Sequence, residues 1–296
     1  MRKLILLIII LMVISYPSTQ VFGQILIGKP AKQTVDISIS EQNNVHVIHI
    51  VKPSSSIQQV NVIKGTLSNL SVTDENGNEI QYAKVEKEPL GITIFPKDKD
   101  IFIKYDLADV LVLENGRWTW NFRYLVETDF YFADNVDLIY VNSNPVFLDG
   151  GIKCHGCQML LEYVIDEPVT LKNIKWEDQE FPITVRTLAE LDSFTLDQST
   201  KRIFFNITAD NDPITLIIPL VLLGNPYEVY FNEEKILKHE FLTNETHVWL
   251  NFRPETSGKI DIIGSTVIPE FPFFMPLALG IALILGIQLK NKLNLR

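Results

Sequence analysis

The chain has 296 residues, 46% of them hydrophobic, with 36 acidic against 26 basic side chains and a formal net charge of -10. That length is enough for two modest domains with buried cores, and an acidic surface repels nucleic acid. The chain has only two cysteines.

The N-terminus opens with Arg2 and Lys3, runs through the apolar stretch Leu4 to Ile14 and reaches Val21-Phe22-Gly23. A positive start, a short apolar core and small residues before the break are what a signal peptidase reads, so residues 1–23 are expected to be a signal peptide. From residue 24 to 168 short segments rich in Val, Ile, Phe and Tyr recur between turn signals. They are Val35 to Ser40, Val45 to Val51, Gln59 to Ile63, Ile80 to Val85, Ile92 to Phe95, Ile101 to Tyr105, Arg117 to Tyr124, Val136 to Val141 and Met159 to Ile165. Spacing of this kind predicts an all-β domain of the sandwich type. Asn76-Gly77 and Asn115-Gly116 predict tight hairpin turns, because both residue types tolerate positive φ. Asn142-Ser-Asn-Pro145 reads as a further turn, and Gly150 to Cys157 as a loop.

Strict alternation in Arg117-Trp-Thr-Trp-Asn-Phe-Arg-Tyr124 puts Trp118, Trp120, Phe122 and Tyr124 on one face. Core packing is the reading preferred over a sugar-stacking surface, and it leaves Arg117 and Arg123 on the solvent face. His46 and His49, three apart in a predicted strand, point to opposite faces and cannot share an ion without a bulge.

Cys154-His-Gly-Cys157-Gln-Met159 is the one local cluster with chemical potential. Outside the cytoplasm Cys154 and Cys157 are expected to oxidise to a disulfide. The alternative is an extracytoplasmic copper or zinc site, or a thiol-redox site, recruiting His155 and Met159, since thiolate, imidazole and thioether suit those ions. The spacing fits neither haem attachment, which needs His where Gln158 stands, nor a thioredoxin-type motif, which needs a βαβ setting.

Glu167-Pro168 marks a boundary, and residues 169–266 form a second β unit. Thr187 to Leu191 is the best helical candidate, at one turn. Ile214 to Gly224 is too short for a membrane span and reads as a buried strand ending in a turn. Leu70 to Tyr105 and Tyr227 to Ile263 share a layout of strand, acidic turn, strand, loop, strand, Pro-containing turn and strand, and Val136 to Ile165 runs similarly. Sequons at Asn69, Asn206 and Asn244 permit glycosylation. The acidic turns Asp74-Glu75 and Asp210-Asn-Asp212 read as solvated loops, short of the ligands calcium takes. Gly-x-Ser-x-Gly, His-Glu-x-x-His and phosphate-binding Gly-loop motifs are missing from the sequence, and the chain is expected not to be an enzyme.

Beyond the linker 267–270, Phe271 to Leu289 carries no formal charge. As a helix rising ~1.5 Å per residue it covers about 28 Å, close to the ~30 Å hydrocarbon core of a bilayer. Residues 271–289 are therefore expected to be a transmembrane helix, and the basic tail 290–296 to lie in the cytoplasm by the positive-inside bias. The order of signal peptide, β ectodomain, Pro269-Glu270-Phe271, apolar segment and basic end resembles the C-terminal sorting signal of archaeal surface proteins handled by archaeosortases, in the version typical of ammonia-oxidising Thaumarchaeota. Ile217-Ile-Pro219, Leu222-Leu-Gly224, Pro226-Tyr-Glu-Val-Tyr230 and Ile260 to Phe271 are similar to the immunoglobulin-like module that precedes this signal in that group. The resemblance covers residues 170–296, and the first domain only in outline, and implies a cell-envelope location; with the strand spacing of the first domain, the expected architecture is two immunoglobulin-like β-sandwiches on a single-pass anchor. Its partners would be the membrane and other envelope or surface-layer proteins. It lends no catalytic residues.

Overall fold

The computed structural model describes residues 31–86, 89–208, 211–242, 245–268, 280–285 and 287–288. The expected signal peptide, Pro269, Glu270, Phe271, Asn244 and the basic tail lie outside the described residues.

Twelve strands occupy the first half: β1 Gln33–Ile39, β2 Val45–Val51, β3 Gln58–Asn61, β4 Thr66–Asp74, β5 Tyr82–Val85, β6 Gly91–Ile94, β7 Ile101–Ala108, β8 Val112–Glu114, β9 Arg117–Tyr131, β10 Leu138–Val141, β11 Asn144–Phe147 and β12 Ile152–Tyr163. Ten follow: β13 Val169–Trp176, β14 Gln179–Arg186, β15 Glu190–Asp197, β16 Arg202–Thr208, β17 Ile214–Pro219, β18 Glu228–Phe231, β19 Glu234–Lys235, β20 Lys238–Leu242, β21 His247–Phe252 and β22 Gly258–Ile263. The described protein is all-β apart from a short helical stretch at 280–285 and 287–288.

No described sheet mixes strands from the two halves. The first half forms a nine-stranded sheet in the order β11-β10-β12-β9-β1-β2-β7-β4, with β8 beside β9, and a three-stranded sheet β3-β6-β5. Alternating burial along β2 and β7 sends Val45, Val47, Val51, Ile101, Ile103 and Tyr105 inward, where they meet Val60, Ile92 and Ile94 of the smaller sheet. Trp120, Phe122 and Phe130 stack edge-to-face in this core, with ring centroids 4.9–6.0 Å apart. The second half pairs two five-stranded sheets, β13-β14-β17-β21-β20 and β15-β16-β22-β18-β19. Ile183, Leu216 and Leu250 of one pack with Phe205, Val229 and Ile262 of the other in a single core. This is sandwich-like architecture.

The turn chemistry follows the residues. Asn115 and Gly116 hold φ of 50° and 78° between β8 and β9, and Asn142 and Ser143 hold 50° and 65° between β10 and β11, the double positive φ of a two-residue hairpin. Pro145 falls in β11 opposite Tyr140, so that turn is shorter than its sequence suggests. At Asn76-Gly77 only Gly77 is positive, and the Asp74 carboxylate ties the loop by accepting the backbone N–H groups of Asn76 and Asn78.

The shared layout has a structural counterpart. In the first instance the outer strands β4 and β7 pair with each other and the inner β5 and β6 pair in a different sheet. In the second, β18 pairs with β22 and β20 with β21, again in separate sheets. Val136 to Ile165 departs from it, because β10 pairs with both β11 and β12 in one sheet.

Four expectations are corrected. Asp212, expected in a solvated acidic turn, is 13% exposed and paired with Arg117. Thr187 to Leu191 forms no helical turn: Thr187 Oγ1 donates to the Pro213 carbonyl and accepts from the Ala189 N–H, and β15 starts at Glu190. Gly150 to Cys157 is not a loop, since β9 continues to Tyr131 and offers Ile152 to His155 an antiparallel partner. Arg117 is not on the solvent face but buried, for reasons given below. The expected span 271–289 lies mainly outside the described residues, and among the described residues no helix is long and apolar enough to cross a membrane.

Candidate functional site

A separation of three in a regular strand puts side chains on opposite faces. Cys154 and Cys157 escape that rule. The β9–β12 register shifts between His155 and Cys157, where Gly156 takes φ 65°. His155 and Gly156 both face outward, and the two cysteines both pack against the first core. Their Cα atoms are 5.9 Å apart, a disulfide-forming distance. Gly156 is needed twice over, because a Cβ there would meet the Leu125 carbonyl oxygen at 3.2 Å and an L side chain resists that φ.

The same geometry separates the remaining members of the cluster. His155 lies on the outer face, its side chain 70% exposed, with Nδ1 3.2 Å from Glu127 Oε2. Lys153 also holds Glu127, and that hydrogen bond pulls the carboxyl below its ordinary range. Met159 is buried in the first core. Cysteines, imidazole and thioether therefore do not converge, and among the described residues no His, Cys, Asp or Glu group is arranged to hold a metal ion.

The other histidines are dispersed. His46 is half-exposed with Nδ1 2.8 Å from Asp106, while His49 is fully buried between Gln33 and Tyr105. The aromatic alternation packs as core: Trp120 and Phe122 are buried, and Trp118 and Tyr124 lie partly buried against them. Arg123 is exposed. Of the sequons, Asn69 sits at a register shift in β4 with φ 55° and its Nδ2 donates to Asp106, and Asn206 is an exposed residue of β16.

The most developed polar cluster joins the two halves. Arg117 Nη2 donates to Asp212 at 2.6 Å, and Nη1 reaches the Asn211 carbonyl and Glu162. Arg253 donates to the same Glu162 at 3.0 Å and stacks over Tyr140. Tyr140 O–H donates to Asn251, whose amide donates to Thr215, and burial pushes the Tyr140 phenol up to about 12. Nearby, Arg186 clamps Asp137 with two hydrogen bonds, donates to Glu167 and lies over Trp249. The Arg186 bonds hold Asp137 below the usual carboxylate range, whereas burial raises Glu167. Phe147 adds edge contacts to Phe241 and Trp249, with centroids 5.1 and 4.6 Å apart. Sequence reasoning missed this seam. The local signal for it is a polar residue set among apolar neighbours in a strand: Thr215 in β17, Asn251 between Leu250 and Phe252 in β21, and Glu162 between Leu161 and Tyr163 in β12.

No family model and no curated protein matches the chain. Among solved structures it is similar to an aminopeptidase N family protein from Idiomarina loihiensis, at 8% identity and a TM-score of 0.34, over 50% of this chain and 31% of that one. The chain thus corresponds to under a third of that protein's length, and a likeness this weak carries no argument about fold or activity.

Proposed function

We propose that the protein is a membrane-anchored component of the cell envelope, with two immunoglobulin-like β-sandwiches outside the membrane acting as a structural or interaction module rather than as an enzyme. The observation that carries this reading is the helical stretch near the C-terminus. Its large apolar side chains Ile281, Leu283, Ile284, Leu285 and Ile287 are all 51–67% exposed, a surface that water does not tolerate and a bilayer does. The charge-free sequence around it, the basic tail and the signal-like N-terminus add the orientation. A desolvated ionic seam between the halves suits a body that has to keep its shape in an envelope.

The test is topological. A tag after Arg296 should be shielded from external protease in intact cells, or lost if the tail is removed, whereas a tag beside Lys32 should be cleaved. Cleavage of an intact C-terminal tag in unbroken cells would overturn the anchor.

In this setting the cysteine pair is a structural disulfide. Native protein should show no free thiol before reduction, and Cys154→Ser should cost well under the ~3 kcal/mol of a fifteen-residue loop, because so short a loop removes little unfolded-state entropy. Copper or zinc bound stoichiometrically and lost in Cys154→Ser would instead favour the metal reading.

A further inference from the structure

A cleft of about 570 Å³ opens at one end of the neighbouring strands β2, β7 and β4, beside the start of β9. Its volume lies within the ~300–1,000 Å³ typical of small-molecule sites. Three of its residues, Asn43, Asn69 and Asp109, hold positive φ of 59°, 55° and 60°. Asn and Asp tolerate that conformation, and here it clusters their short polar side chains around one opening.

The hydrogen-bond ledger of the cleft is half-open. Asn43 uses only its Oδ1, which accepts from Tyr163, so its two amide N–H groups remain to donate. Asp109 uses only Oδ2, accepting from Thr66, and keeps Oδ1 as an acceptor. Asn69 donates through Nδ2 and keeps its carbonyl oxygen. The side chain of Asn44 and the indole N–H of Trp118 make no hydrogen bond among the described residues. Donors and acceptors therefore stand side by side next to an aromatic wall and the apolar side chains of Val110 and Leu111.

That combination selects a ligand class. An anion is repelled, because Asp106 and Asp109 line the cleft and no described Lys or Arg does. A metal cation is poorly served: Asp106 spends both oxygens on His46 and Asn69, leaving one free carboxylate oxygen at Asp109. Neutral sugar hydroxyls donate and accept at once, and the C–H face of a pyranose packs on an indole. We propose that this cleft binds a neutral saccharide, stacked on Trp118 and hydrogen-bonded by Asn43, Asn44 and Asp109. The site belongs to the first half of the chain alone, so it goes beyond the anchoring assignment and survives its failure.

The sugar has two conceivable sources, a free glycan or a chain attached at the sequon Asn69-Leu-Ser71, whose asparagine lines the cleft. The full chain, made in a host without N-glycosylation and kept in detergent, is titrated with glucose, N-acetylglucosamine, cellobiose, chitobiose and mannobiose. Tryptophan fluorescence and calorimetry report binding. At least one sugar should bind at a single site, and Trp118→Ala and Asp109→Asn should each weaken it by about tenfold or more, the loss of roughly one good contact. Leu125→Ser, outside the cleft, should leave it unchanged. Asp109→Asn keeps both size and the tolerated backbone, so it remains informative if Trp118→Ala fails to fold. Material from a glycosylating host separates the sources. A sugar on Asn69 that fills the cleft blocks free saccharide until Ser71→Ala removes the sequon, whereas a cleft meant for free glycan binds with or without it. No binding by any of the five sugars at millimolar concentration, undiminished binding in both cleft variants, or preference for glucuronate over its neutral counterpart would overturn the proposal.

Discussion

Replacing Arg117 with methionine should destabilise the protein by about 3–5 kcal/mol, the cost of removing one partner from a buried ion pair. The guanidinium is 8% exposed and Glu162 and Asp212 are 6% and 13% exposed, so neither carboxylate has water to fall back on. Arg253 still serves Glu162, but the described ion pair of Asp212 is gone. The penalty is therefore that of stranded charge, not the net worth of the pair. Removing Asp212 as well, in Arg117→Met/Asp212→Leu, should recover more than half of the loss, because replacing both members of a buried pair by apolar groups is often neutral. Urea unfolding followed by tryptophan fluorescence measures both. A single-variant loss below about 1 kcal/mol, or a double variant as unstable as the sum of its singles, would show that the seam opens easily to water.

How much of this was legible in the sequence depends on the range over which each feature is decided. Hairpins at Asn115-Gly116 and Asn142-Ser143 are decided by two residues and were readable as turns. The inward set Trp118, Trp120, Phe122 and Tyr124 is decided by alternation within one strand and was readable too. Arg117, one residue earlier in the same strand, was misplaced because the outer face at that end of β9 is covered by the second half, through Asn211 and Asp212, 94 and 95 residues away in sequence and invisible to a local pattern. Cys154 and Cys157 show the intermediate case. Their pairing was expected, but bringing both to one face takes a register shift against β9 that only the strand's partner defines. The cleft beside Trp118 draws on four separated segments, and nothing in any one of them announces it.

Acid should unfold the wild-type protein more readily than a His49→Gln variant. His49 sits inside because β2 alternates, and its ring is hydrogen-bonded at both nitrogens: Nδ1 lies 3.1 Å from Gln33 Oε1 and Nε2 2.8 Å from the Tyr105 hydroxyl. Gln33 Oε1 only accepts, so the hydrogen-bond network assigns the proton to Nδ1 and leaves Nε2 to accept from Tyr105, whose oxygen also receives the Ile63 N–H. A second ring proton would point at that hydroxyl and put an uncompensated charge in the core. Burial accordingly lowers the His49 pKa from 6.5 to about 3. Between those values the unfolded chain binds the proton and the folded one does not, so the contribution is intact above pH 6.5 and is lost as pH falls. The slope approaches ~1.4 kcal/mol per pH unit, which is about 2 kcal/mol by pH 5. Glu167 works the other way, since a carboxyl raised by burial favours the fold as it protonates, and its effect is common to both proteins. The quantity to read is therefore the difference in unfolding free energy between wild type and His49→Gln from pH 8 to pH 4. That difference should be flat above pH 7 and shrink steadily below 6.5, as the wild type loses stability that the glutamine cannot lose. Curves that stay parallel down to pH 4 would mean that His49 is protonated in the folded protein, with the Tyr105 hydroxyl turned to accept from it.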